Sequence, residues 1–507
     1  MVTQVTWLFK SKAHSVDDSL VSRSTANLDR DQTVPVLTSS DRHGLQSTDV
    51  LLERLAAASV ACTPFWLPIV NDWHSWSTGL VVTLGEVPLI GFTLLAAPKT
   101  FRSLAANLPR PKKHHAARHQ GQEHRAKKSV PTSVDRYAVA LLLLLAALTL
   151  SAIVHPHVRG LQTLSRVLGM VCLGEHVINR RIRATTLVHA LIGITTFEAA
   201  LAIWQRITHA PLGLGILGES PVPFYEFGDK GFAVNGTLPH PYPLAALALV
   251  GGSAAIVFGG RRLINSRIAA LGAATGAIII GLTISRAGLL SAIGIAFGTL
   301  VSSIVACKRW HSSATKASST VQTAAFEGRT GQSAFVLRLA FLAMFIVGLV
   351  GSMGGSKDAW SNRAAIQQQG QSVNEMSSSR GDRLHEGLGV YKTSPVFGVG
   401  PGRYVIALAR HPELLHSDPA DALPAHNAAL LFLAEGGIPT ALALLAVALV
   451  LGRRLLTLGA DGIIMISAVF AFLMLDIVFV SLPSGLFLLG VWGALLSALT
   501  LKDATPL

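Results

Sequence analysis

The sequence predicts an all-α polytopic membrane protein of about twelve transmembrane helices, and three observations predict it. Only 14% of the 507 residues are charged, against about 25% in an ordinary soluble domain, which is too little charge to solvate three or four soluble domains. Half the residues are hydrophobic and the mean hydropathy is +0.49. Apolar runs of roughly 20 residues, enough to cross a bilayer as helix, recur along the chain. Cys62, Cys172 and Cys307 all lie in or beside such runs, so a disulfide framework is excluded.

Residues 1–50 are rich in Ser, Thr and Asp, lack the basic start and early apolar core of a signal peptide, and read as a disordered cytoplasmic tail. Apolar windows follow at 55–71, 79–97, 137–154, 161–178, 185–205 and 242–259, then at 267–283, 287–307, 334–352, 427–451, 462–480 and 483–500. The first is interrupted by Pro64 and Pro68, and the fourth carries Arg166, Glu175 and His176, which would also suit the interface. The organisation expected is therefore a tail (1–50), helices one to nine with a basic loop at 98–136 (51–352), a large loop (353–426) and helices ten to twelve (427–507).

Loop charge orients these spans, because short cytoplasmic loops carry excess Lys and Arg. Lys99 to Arg136 has ten basic residues, and Arg180, Arg181, Arg183, Arg261, Arg262, Arg267, Lys308, Arg309, Arg453 and Arg454 follow other even-numbered spans. The alternate loops are poor in base: Asn71 to Thr78 has none, and 353–426 balances seven basic residues against seven acidic. Both termini are thus expected in the cytoplasm. The formal +14 charge then belongs beside anionic headgroups rather than nucleic acid. His114, His115, His119 and His124 sit in a Pro, Gln and Lys-rich loop to which no metal role is assigned.

The 74 residues of 353–426 are too many for a passive connector. Within them Arg383 to Thr393 has helical spacing, with Leu384, Leu388 and Tyr391 on one face and Pro395 as its stop. The stretch Gly398-Val399-Gly400-Pro401-Gly402 permits close backbone approach to a ligand, or serves as an ordinary turn. His426 stands at the start of the tenth apolar run on the outer side, where a helix N-terminus favours a neutral imidazole able to take a proton from a hydroxyl. It could also be an interfacial polar residue. Arg286, in the tight outer turn between the seventh and eighth spans, runs against the charge bias. Snorkelling would explain it, but a guanidinium there also matches phosphate oxygens bidentately.

The order of Ser285-Arg286-Ala287-Gly288, Arg383, Pro395 to Gly402, His426-Asn427 and Glu435-Gly436-Gly437 resembles the O-antigen ligase and polymerase superfamily of bacterial envelopes. The resemblance covers about 230–450 by motif. It implies a GT-C-like, metal-independent and cofactor-free glycosyltransferase of the inner membrane, with its large periplasmic loop between helices nine and ten. The donor would be an undecaprenyl-diphosphate-linked glycan, and the acceptor a lipid A core hydroxyl or a growing glycan. His426 would be the general base and Arg286 the diphosphate clamp. The family's second basic residue falls near Lys230 to Ala245, but Arg is absent there and Tyr242 stands where Asn is usual, which leaves that role open between Arg206 and Lys230. Arg380 and Arg383 would touch sugar or phosphate, or pair with acids of their own loop; Gly400 and Asn427 join them as substrate-binding candidates. Transfer to a protein hydroxyl is a further option of the same superfamily. A transporter is the rival of another class: Glu86, Glu198 and Asp476 within spans favour it, whereas the absence of an internal repeat and the gathering of unusual polar residues at the outer face disfavour it.

Overall fold

In the computed structural model the residues described are 47–67, 82–107, 136–220, 224–226, 231–316, 336–337, 339–351, 380–415, 424–475, 479 and 483–500. Asp49–Leu507 form one compact unit. The expected tail up to residue 46, the His-rich tract, Lys230 and Asp476 lie outside the described residues.

Each of the twelve apolar windows contains a helix. In chain order these are α1 (Ser47–Ala61), α2 (Glu86–Asn107), α3 (Arg136–Val154), α4 (Val158–Ile178), α5 (Ala184–Thr208), α6 (Pro241–Gly260), α7 (Ser266–Thr283), α8 (Arg286–Lys316) and α9 (Leu339–Gly351). The large loop contributes α10 (Arg380–Thr393) and α11 (Tyr404–Arg410), and the chain closes with α12 (Ala428–Leu458), α13 (Ala460–Leu475) and α14 (Pro483–Thr500). Among the described residues α3, α5, α6, α7, α8 and α12 are long and apolar enough to cross a membrane, and α9, α13 and α14 contain shorter apolar helices. The chain is an all-α polytopic membrane protein.

The first window is not one continuous helix. Neither of its prolines can continue an α-helix, so α1 ends at Ala61 and the chain turns into β1 (Trp66–Leu67). That strand pairs antiparallel with β2 (Val82–Thr83), Trp66 opposite Thr83. A second hairpin, β3 (Phe224–Glu226) with β4 (Gly231–Ala233), leads into α6.

Local chemistry sets the other ends. His240 caps α6 by accepting the Tyr242 amide at 3.2 Å, with Pro241 in the first turn where its missing N–H costs nothing. Asn265 caps α7 through the Arg267 amide at 2.9 Å. The helix α6 is buried along nearly all its length and sits at the centre of the bundle. Small residues let its neighbours come close: a Cβ on Gly276 of α7 would lie 2.7 Å from the Ala248 carbonyl oxygen.

The charges on α4 are matched internally. Arg166 Nε donates to Glu86 Oε1 at 2.5 Å, and Gln162 Nε2 donates to Glu86 Oε2 at 3.3 Å. Glu198 of α5 accepts the Thr237 amide at 2.9 Å and the Thr237 hydroxyl at 2.5 Å. Two ends of the bundle are thereby distinguished. One holds the hairpins, the 155–157 turn, the 284–286 turn and α10 with α11; the other holds the Arg261–Asp461 pair at 2.9 Å and the Lys99–Asp49 pair at 2.9 Å.

Candidate functional site

The turn between α7 and α8 is strained. Ile284, a β-branched residue, has φ 53° and ψ 19°, a left-handed conformation that costs such a side chain of order 1–3 kcal/mol. Through it Ser285 becomes buried and its Oγ accepts the Gly288 amide at 3.2 Å, capping α8. Arg286, at the first position of α8, is half-buried at the helix mouth.

His426 precedes α12 by two residues and is half-buried, with Nδ1 shielded from solvent. Asn427 is the helix cap: its Oδ1 accepts the Leu430 amide at 3.0 Å, and its Nδ2 lies 3.5 Å from the Met474 carbonyl. The capping role explains Asn at this position on backbone grounds. Helix α10 packs over this start, since a Cβ on Gly387 would lie 2.5 Å from Leu430 Cδ2 and 3.2 Å from Ala425 Cβ.

Helix register sets the starts of α8 and α12 level with one end of α13. The helices α8 and α13 run antiparallel, with Gly294 against Ser467 and Gly298 against Ile464. Continuing that register sets Arg286 level with the end of α13 near Met474, the residue whose carbonyl Asn427 approaches. The helix starts that carry Arg286 and follow His426 therefore lie at the same level of the bundle. Arg206 belongs to this end too: its Nε donates to the Gly351 carbonyl at 3.2 Å and its Nη1 to the Phe232 carbonyl at 3.1 Å. A Cβ on Gly351 would in turn contact Leu282, four residues before Arg286.

The glycine-rich turn differs from the expectation. Its close approach is to a broken helix rather than to an open groove. Within α12, Gly437 has φ 67° and ψ −164°, followed by Pro439. Across this break the Val399 amide donates to the Ala434 carbonyl at 2.9 Å, Gly400 to Glu435 at 2.9 Å, and Ile438 to Pro395 at 3.2 Å. The Glu435 carboxylate accepts the amides of Gly402 at 2.9 Å and Tyr404 at 3.2 Å. Ser151 of α3 adds a bond to the Glu435 carbonyl at 2.8 Å. The amide of Gly400 is thus spent on Glu435, and its Cα faces His155. Around this joint Val390, Val399, Tyr404, Leu408, Ala425, Leu430 and Ala434 form a separate small core. Burial, with Glu386 beside it, pushes the Tyr404 phenol above its ordinary range.

Arg383 is buried in an ion pair with Glu386 at 3.0 Å, one turn along α10. Pairing with an acid of its own loop is thus what the fold shows for Arg383, and the pair lies in the interior. Arg380 is the first residue of α10.

Comparison with known families bears on this arrangement. Residues 271–445 match the family model described as O-Antigen ligase. Over that stretch, about a third of the chain, it is similar to the O-antigen ligases. The match begins in α7 and ends in α12 just beyond the break, so it holds Arg286, α10, the glycine-rich turn, His426 and Glu435. No curated protein matches the chain.

Outside the matched stretch the structure brings in residues that the sequence did not single out. The turn joining α3 to α4 carries His155 and His157, and α4 opens with Arg159. A Cβ on Gly400 would lie 2.9 Å from both His155 Cβ and Arg403 Cδ, and one on Gly402 would lie 2.7 Å from Arg159 Cβ. Four basic side chains from positions some 250 residues apart thus meet over the glycine-rich turn. Burial and the Arg403 charge hold the His155 imidazole below its ordinary value, against a hydrogen bond to the Gly398 backbone. His157 is held down by burial, Arg403 and Arg159. No local sequence pattern joins these four; His-Pro-His-Val-Arg between two apolar runs was the one visible sign.

Proposed function

We propose that this chain is an O-antigen ligase-like glycosyltransferase that moves a glycan from undecaprenyl diphosphate to a lipid A core hydroxyl. His426 takes the acceptor proton as the hydroxyl oxygen bonds to the anomeric carbon. The bond from that carbon to the diphosphate oxygen breaks, and the electron pair leaves on the diphosphate. Arg286 binds that leaving group with charge-assisted hydrogen bonds. Diphosphate is already a good leaving group, so the site needs a base, a cation and a groove that holds both substrates in line.

What supports this reading is the family match, which spans both His426 and Arg286, together with the α8–α13 register and the Asn427–Met474 contact, which set the starts of α8 and α12 level with one end of α13. Charge supports a periplasmic position for that end: Arg180, Arg181, Arg183, Arg261, Arg262, Arg453 and Arg454 gather at the other. Arg206, with two donors on backbone carbonyls, acts as a brace for the site more than as a second clamp. The transport reading loses support, because Glu86 and Glu198 are engaged in structural bonds. The test is reconstitution of the purified protein with an undecaprenyl-diphosphate-linked glycan, with and without lipid A core. Product that requires lipid A core supports the ligase; a ladder of longer lipid-linked glycan without it means a polymerase; no product with either acceptor overturns both.

A further inference from the structure

We propose that residues 211–219, between α5 and β3, form an apolar finger whose tip, Ile216, inserts among the phospholipid acyl chains of the leaflet at the end of the bundle that holds the hairpins. The stretch 207–218 contains no Asp, Glu, Lys or Arg, and 212–217 reads Leu-Gly-Leu-Gly-Ile-Leu. Gly213 and Gly218, at φ 77° and 108°, turn the chain on either side of a short 3-10 turn, Gly215–Leu217, which packs beside β1. Ile216 is 80% exposed at the crest of this turn, with Leu212, Leu214 and Leu217 half-buried behind it.

A loop can enter a bilayer only where its backbone polar groups find partners within the protein. Glu219, itself buried, does this for the root of the finger: its carboxylate accepts the amides of Leu212 at 2.7 Å and Leu214 at 2.6 Å, together with the side-chain amide of Gln205 at 2.6 Å. Leu217 and Glu219 donate to the Leu214 carbonyl at 2.8 and 3.4 Å, Gly218 donates to the Gly215 carbonyl at 3.0 Å, and Pro211 has no N–H to satisfy. The one acid of the finger is thus consumed inside it. The Gln205 bond also fixes its depth. Gln205 lies three residues before the end of α5, so the chain folds back beside the last turn of a span instead of leaving it. Ile216 is two residues from Leu214 and stays within about 7 Å of that level. At the same level α5 exposes Trp204 and Ile207, one turn apart, by 60% and 70%. The exposed apolar side of a span faces lipid, so the finger continues a surface already given to the bilayer. The 25 residues of α5 measure about 37 Å against a hydrocarbon core of about 30 Å. Its last turn therefore belongs at the boundary between acyl chains and headgroups, where Trp is favoured and apolar side chains dip into the leaflet.

The experiment places a fluorophore at the tip. I216C is made in the full-length chain with C62A, C172A and C307A, labelled with NBD and reconstituted in nanodiscs of phosphatidylethanolamine and phosphatidylglycerol. E413C, at an exposed side chain of the large loop, is the aqueous control. A phospholipid bearing a doxyl group high on its acyl chain quenches from within the leaflet, and iodide quenches from water. At 216 a blue-shifted emission is expected, with loss of fluorescence to the doxyl lipid and little loss to iodide; at 413 the pattern should be the reverse. If the cysteine-free chain does not fold, the parent chain is reconstituted with a phospholipid carrying a diazirine on its acyl chain, and adducts on 212–217 are expected by peptide mass spectrometry. Iodide quenching at 216 equal to that at 413 would put the tip in water and overturn the proposal. Protection of 216 from both quenchers, or adducts on α5 with none on 212–217, would overturn it in favour of a second copy or another protein covering the tip. The readout is position alone and stands whether or not the chain transfers a glycan.

Discussion

Gly437→Ala is the sharpest perturbation of the joint between the large loop and α12. Gly437 has φ 67° and ψ −164°, a region open almost only to glycine, so alanine there costs of order 1–3 kcal/mol in backbone strain. The new Cβ would also lie 2.2 Å from the Val396 carbonyl oxygen and 2.7 Å from the Gly398 nitrogen. These are backbone atoms and cannot rotate aside. Relief requires the loop to withdraw, which breaks the Ile438 to Pro395 and Val399 to Ala434 bonds, at about 1 kcal/mol each. The total, about 3–5 kcal/mol, is enough to detach the loop locally while leaving the bundle intact. The assay is limited proteolysis at 395–415 in detergent, together with transfer activity and thermal unfolding. Faster cleavage and loss of activity are expected with little change in the main transition. Gly452→Ala is the control: it lies in the same helix with nothing within 4 Å of its Cβ, and should stabilise by up to about 1 kcal/mol. Parental protease resistance and activity in the Gly437→Ala protein would refute the reasoning.

Other outcomes follow from the same geometry. His426→Ala should lower transfer by roughly 10²–10⁴-fold with the parent's melting temperature; full activity would remove His426 as base. Arg286→Lys keeps the charge but loses the fork, and should lower kcat about tenfold or more; equal turnover would make Arg286 a mere membrane anchor. Arg206→Lys gives up its two carbonyl bonds, so melting should fall, by about 1–3 kcal/mol of stability, while donor KM stays near the parent's; the reverse pattern would restore Arg206 as a phosphate ligand. Burial holds the His240 imidazole down, from 6.5 to about 3. The unfolded chain then binds the extra proton, so this residue's contribution is full above 6.5 and is lost as pH falls towards 3. The melting temperature of the parent should therefore drop between pH 7 and 5 more than that of His240→Asn, which keeps a capping acceptor; parallel curves would contradict this.

The helices were legible because apolar length is a local property, and α10 was found, ending before Pro395, from the spacing of Leu384, Leu388 and Tyr391. The first window misled for an equally local reason: the composition stays apolar past Pro64, while the backbone cannot stay helical. The catalytic candidates were visible as chemistry out of place, an Arg against the charge bias and a His at a helix start. Their neighbours were not. Nothing near Arg206 in the chain announces that its donors reach Phe232 and Gly351. Glycines at 398, 400 and 402 read either as room for a ligand or as an ordinary turn, since sequence shows that a glycine is needed but not what comes close to it. In the fold it is Glu435, His155 and Arg159 that come close.

The interlock of 395–402 with 434–438 also sets where this protein can be cut and rejoined. Backbone meets backbone there, so neither strand of the joint tolerates an insertion or a foreign partner. Among the described residues that follow the joint, 411–415 make no backbone bond to α12. A chimera that borrows the loop of a relative to change its acceptor must therefore take 395–438 as one cassette, His426 included. Length variation belongs outside 395–402 and 434–438, away from the backbone bonds of the joint.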